Sequence, residues 1–248
     1  MIKLKITRVD HNNNTPILYK HEIEEFAQAV LADYKPNLLK EPGAIGFEHF
    51  LETYLGVTLL FRDIYYGENE KPIFGMTLFD KCIVKVFDKE NGRVKNELMP
   101  ADSIIIDNYV TKPGREGIAN FTGGHEGAHY LLHSGVSFPA KARKIFCRRE
   151  SIDGSGGAQG TANNWIEFQA NYFTASFTMP NATFNPLVNE FLREHGIYKR
   201  YIILGEDDDL DILAKDLLPS YISDVYNVSK IAAFNKLKSN DFIEEKII

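Results

Sequence analysis

Apolar residues recur every three to four positions between residues 22 and 34, at Ile23, Phe26, Ala27, Val30, Leu31 and Tyr34, and Pro36 closes the run. That period predicts an amphipathic helix. Residues 46–55 repeat it, with Phe47, Phe50, Leu51 and Tyr54 on one side. From residue 57 the period changes. Short β-branched or aromatic runs at 57–65, 73–78, 82–87 and 103–109 are separated by Gly, Pro, Asn and Asp. They predict three or four strands in one mostly antiparallel sheet. After the turn at Lys112-Pro113-Gly114-Arg115 the pattern is helical as far as His133. A strand is expected over 144–149, and a helix over 164–179 that Pro180 ends. Helices are also expected at 186–194, 209–218, 220–226 and 229–237. Helices on either side of a small sheet make an α+β protein. We read residues 1–183 as its main domain and 184–248 as a helical extension packed on it.

Composition narrows the class without naming a function. The chain has 248 residues and a net charge of −6, which argues against a protein that grips nucleic acid through bulk charge. No apolar run approaches the roughly 18–20 residues of a membrane helix. The opening residues alternate and carry charge, with no apolar signal core, so a cytoplasmic location is expected. Cys82 and Cys147 lie far apart and read as free thiols.

His125-Glu126-Gly127-Ala128-His129 has the form H-E-x-x-H. A chain of this composition would contain about 0.015 such motifs by chance, so the match carries weight. Four residues apart on a helix, the two imidazoles stand about 40° apart in azimuth and about 6 Å apart along the axis. From one face they can bind one zinc ion. Glu126 is turned by about 100° from His125, within reach of a water on the metal but not placed as a ligand. A carboxylate there can take a proton and return it to a leaving amine. Gly123, Gly124 and Gly127 weaken the helix by up to about 1 kcal/mol each. Small residues there would let another segment approach closely.

A catalytic zinc site takes three protein ligands and keeps one position open. His133 lies about 12 Å along the axis from His125, too far for a shared ion. It reads as a capping residue or one that supports a ligand from behind. Glu167, in Trp165-Ile-Glu-Phe-Gln-Ala-Asn171, is the better candidate, and Asn171 sits one turn beyond it to support a ligand. A lone helical Glu is more often a solvated surface residue, and spacing alone leaves that reading open.

The stretch from His125 to His133, followed by Glu167-Phe-Gln-Ala-Asn-Tyr-Phe-Thr-Ala-Ser-Phe-Thr-Met-Pro180, resembles the ImmA/IrrE family of bacterial zinc metallopeptidases. That family pairs an H-E-x-x-H helix with a later E-x-x-A-N-x-F-x-A helix ending in Met-Pro. The likeness covers about residues 100–180 and includes Arg115 and Phe121-Thr122 ahead of the motif. Gly127-Ala128 stands where Leu-Gly is commoner, and Thr178 where Leu is usual. The resemblance implies a zincin-like arrangement with zinc held by His125, His129 and Glu167, and Glu126 as general acid and base. It also implies a protein substrate, often a transcriptional repressor of a stress response or mobile element. Tyr130, Tyr172 and His133 are candidates for stabilising an oxyanion.

Other features read as structural. The glycine-rich residues 153–160 fit neither G-x-G-x-x-G nor a P-loop and read as a connector. The acidic run 206–211 lacks EF-hand spacing and reads as a helix opening. Cys147 has no second nearby cysteine and is not taken as a ligand. Residues 222–237 read as an amphipathic packing helix rather than a helix-turn-helix, and Asn181-Ala-Thr183 carries no glycosylation meaning. The competing function is a zinc-containing module that binds a repressor or DNA without cutting. Glu126 favours the enzyme, since a structural zinc does not require it.

Overall fold

The computed structural model describes residues 1–136, 144–148 and 162–245. Helix α1 (Lys20–Tyr34) turns Ile23, Phe26, Ala27, Val30 and Leu31 inward, the stripe its apolar period predicts. Helix α2 (Phe47–His49) continues as a π-helical stretch, Phe50–Leu55, which buries Phe50 and Leu51 side by side. Five strands follow: β1 (Thr58–Arg62), β2 (Ile73–Leu78), β3 (Cys82–Asp88), β4 (Arg93–Met99) and β5 (Ser103–Asp107). Then come α3 (Glu116–His133), β6 (Lys144–Arg148), α4 (Ala162–Thr178) and α5 (Asn181–Glu194). The C-terminal part holds β7 (Ile202–Leu204), α6 (Asp208–Ile212, continued as a π-helical Leu213–Leu217), α7 (Leu218–Tyr226), α8 (Lys230–Ser239) and β8 (Ile243–Glu245). The protein is α+β.

The strands do not form one sheet. A four-stranded sheet has the order β1-β5-β2-β6, with β1 parallel to β5 and β2 antiparallel to both β5 and β6. β3 and β4 form a separate antiparallel hairpin, and β7 pairs with β8 in parallel. The hairpin leaves the main sheet because β3 buries only one face: Val84 and Val86 point inward while Ile83, Lys85 and Phe87 are exposed. β5, in contrast, is buried at every position, as a central strand must be. α5 begins at Asn181, five residues before Pro186, because buried Thr183 and Phe184 anchor its first turn.

Helix α3 lies between the main sheet and α4, and α4 packs in turn against α1. The core is continuous: Phe26, Phe50, Phe173 and Phe177 belong to the same buried cluster as Phe184, Val188, Tyr226 and Leu237. One cluster therefore runs through both 1–183 and 184–248. Gly123 and Gly127 admit the second helical segment: a Cβ on Gly123 would lie 2.2 Å from Phe47 Cδ2, and one on Gly127 2.8 Å from Phe50 Cε1. The acidic run opens α6, with Asp207 Oδ1 accepting from the Asp209 and Leu210 amides. Cys82 is buried, whereas the side chain of Cys147 and residues 153–160 lie outside the described residues. Among the described residues no helix is long and apolar enough to cross a membrane.

Lys236 of α8 is buried at 3% exposure over the Phe184 ring, and burial pulls its pKa down to about 8 despite nearby Glu24. The shift from an unfolded value near 10.4 corresponds to about 3 kcal/mol of charging cost. The unfolded chain binds the proton more tightly, so this cost is present in full below pH 8. It fades as pH rises toward 10.4. Lys236→Met is expected to gain about 1–3 kcal/mol at neutral pH, with the gain shrinking by about pH 9.5. Urea denaturation at the two pH values checks this, and equal neutral-pH stability of both chains would exclude it.

Candidate metal centre

His125, His129 and His133 form one stripe down α3, and all three are fully buried with Glu126. The stripe faces α4. His125 Nε2 lies 2.9 Å from His129 Nε2, and the Glu167 carboxylate lies 3.3 Å from each. Ligand bonds of about 2.0–2.1 Å arranged tetrahedrally set donor atoms about 3.3–3.4 Å apart. The His125, His129 and Glu167 group can therefore hold a metal ion. Glu167 reaches it from the next long helix because α3 and α4 pack directly together.

Hydrogen bonds behind the group fix which atoms face inward. The Pro16 carbonyl can only accept, so the Gln169 amide donates to it through Nε2 (2.6 Å). Gln169 Oε1 then accepts from His133 Nε2 (2.9 Å). Burial, followed by the neighbouring His129, pulls the His133 pKa down to about 3, so the ring is neutral and its Nδ1 accepts. His129 Nδ1 donates to it at 3.0 Å. Burial pulls the His129 pKa down as well, although Glu167 works in the opposite direction. With Nδ1 donating to His133, the Nε2 of His129 carries the lone pair when the ring is neutral. On the other ring, His125 Nδ1 donates to Asn171 Oδ1 (2.9 Å) and turns Nε2 inward.

Burial opposes charge on Glu167, yet a proton on the imidazoles beside it, by attraction and by hydrogen bonding, outweighs that and holds its carboxyl well below the usual range. Three electron-pair donors thus converge on one point. Such a set is stable only around a cation, either a proton on one imidazole or a metal ion.

Glu126 leaves this cluster for the sheet. The Thr77 hydroxyl on β2 lies 2.5 Å from Glu126 Oε2 and 3.0 Å from the Glu126 backbone oxygen. Gly75, two residues earlier on the strand, makes room for the carboxylate: a Cβ there would lie 2.6 Å from Oε1. The pairing of β2 with β6 shifts register between Ile73 and Gly75, a bulge of the kind that re-aims a strand beside a site.

Asn171 supports His125 as its spacing suggests, and His133 supports His129 rather than joining the cluster. Tyr130 interacts with Asp102, and Tyr172 with Glu24. Arg115 precedes α3 with its guanidinium 3.5 Å over the Tyr109 ring. Thr77, Gly75, Gln169 and Pro16 escape sequence reasoning. Only Gln169 leaves a trace there, as a polar residue beside the inward-facing Ile166, Ala170 and Phe173.

Compared with models of known protein families the chain matches none, and no curated protein compared with it matches either. Fold and site together define an α+β protein with a His₂Glu group, two buried imidazoles and a half-buried carboxylate, able to hold a metal ion.

Proposed function

We propose that this chain is a zinc-dependent peptidase of the zincin kind, similar to the ImmA/IrrE metallopeptidases, that cuts a protein substrate such as a transcriptional repressor. The observation that carries the reading is the convergence of His125 Nε2, His129 Nε2 and the Glu167 carboxylate, with Glu126 one residue along the same helix. Two nitrogens and a carboxylate suit zinc, and His₂Glu is a known catalytic set. Three ligands among the described residues fit a catalytic site better than a structural one, which four would close.

When bound, zinc supplies a Lewis acid and brings the pKa of water toward about 7. The chain supplies the rest. Asn171 and the His133–Gln169–Pro16 relay hold the two rings in their binding tautomers. Thr77 fixes the rotamer of Glu126, whose carboxylate accepts a proton from water and delivers it to the leaving amine. β6, outermost in the main sheet among the described residues, offers backbone to an extended peptide by strand addition.

The test is hydrolysis of an unfolded protein, such as fluorescently labelled casein, by the chain stripped of metal and reloaded with zinc. Cleavage should appear on loading, disappear with a chelator and return with excess zinc. Zinc binding without cleavage of casein or of a proteome-derived peptide library would favour the non-cutting module.

A further inference from the structure

β4 meets no strand on its outer edge among the described residues. Its backbone direction follows from its neighbours. Lys85 O accepts from Tyr65 N, and Phe87 N donates to Asp63 O, so residues 85 and 87 of β3 point away from β4. Val84 and Val86 therefore bond to β4 through Glu97 and Lys95, their register partners. It follows that the N–H and C=O groups of Val94, Asn96 and Leu98 point outward from the hairpin. The same three side chains lie on its exposed face, where Ile83 pairs with Leu98 and Phe87 with Val94. These four apolar residues are exposed by 58%, 59%, 41% and 40% in that order.

Such an edge invites another strand, and β4 is complementary to itself. Placed antiparallel on a second copy with Asn96 on the two-fold axis, the three outward residues find each other: Asn96 meets the partner's Asn96, and Val94 meets the partner's Leu98. Each pair exchanges two backbone hydrogen bonds. On the other face Lys95 falls opposite the partner's Glu97. The two neighbouring registers that keep the outward groups paired put Lys95 on the partner's Lys95, or Glu97 on the partner's Glu97. Like charges directly opposite destabilise a sheet, so charge selects the Asn96 register. In that register the exposed apolar pairs run on across four strands, Ile83 and Leu98 continuing into the partner's Val94 and Phe87.

We propose that two copies of this chain pair through β4, antiparallel about Asn96, to form a continuous four-stranded sheet with isologous symmetry. The charged edge would ordinarily deter association. Here the opposite charge two residues along the same strand turns it into a match.

Sedimentation equilibrium of the full chain, of Lys95→Glu and of Glu97→Lys tests the pairing. Wild type should approach twice the chain mass as concentration rises. Each variant alone brings like charges together and should remain at the single-chain mass. An equal mixture of the two variants restores opposite charges at both contacts and should dimerise, which an unfolded variant would not do. Asn96→Pro removes only an outward N–H and no ladder bond within the hairpin, so it should weaken the dimer while leaving the circular dichroism spectrum unchanged. A wild type that stays single to its solubility limit overturns the proposal. So does a variant mixture that fails to pair, or a dimer indifferent to all three substitutions.

Discussion

Glu126→Gln is expected to keep the fold and the full zinc content while losing about 10²–10⁴-fold in cleavage rate, roughly 3–5 kcal/mol of transition-state stabilisation. Gln has nearly the shape of Glu, so it fits against Gly75 and its amide oxygen can accept from Thr77. It cannot take a proton from water at neutral pH. The metal group is untouched, because His125, His129 and Glu167 converge without any Glu126 atom among them. Initial rates on labelled casein, together with zinc per chain and melting temperature, separate the two effects. A variant that cuts at the wild-type rate would remove Glu126 from the chemistry, and one that lost zinc would show it acting on the site's architecture instead.

The part of the site that lies on one helix was legible in the sequence, because helical spacing alone sets the His125 and His129 rings on one face. Asn171 and His133 followed from the same arithmetic. Glu167 did not: it lies forty-two positions beyond His125, and only the resemblance to a family pattern raised it above an ordinary surface glutamate. Thr77 and Gly75 were out of reach for a related reason. They meet Glu126 only because β2 runs beside α3, a contact set by packing rather than by any local pattern.

In the fold, α1, α3 and α4 were readable from their apolar period. β4 was not, since Arg93-Val-Lys-Asn-Glu-Leu-Met99 puts charges on one face and Val94 and Leu98 on a face left to solvent. A strand with no buried stripe gives no period-2 signal of burial. The pairing of β1 with β5 was equally hidden. Both are short apolar runs, and whether they lie parallel depends on the chain between them, which carries β2, β3 and β4.

Glu167→Ala is expected to abolish tight zinc binding, the largest change any single side chain in the cluster should produce short of the two histidines. Wild type should gain stability from the metal by mass action, about 4 kcal/mol when free zinc exceeds its dissociation constant a thousandfold. The variant should gain almost none of this, because two imidazoles remain where three donors were. It should still fold. His129 stays tied to His133, and His125 to Asn171, so the rings keep their places. Gln169→Leu supplies the intermediate case. It breaks the relay from Pro16 through His133 without touching a ligand, and loss of such outer support costs about 10–100-fold in metal affinity. The order of zinc affinity should therefore run wild type, Gln169→Leu, Glu167→Ala, read by elemental analysis and by the zinc-induced rise in melting temperature. A Glu167→Ala chain that holds zinc as tightly as wild type would place the third ligand elsewhere. A Gln169→Leu chain weaker than Glu167→Ala would mean that ring orientation contributes more to binding than the carboxylate does.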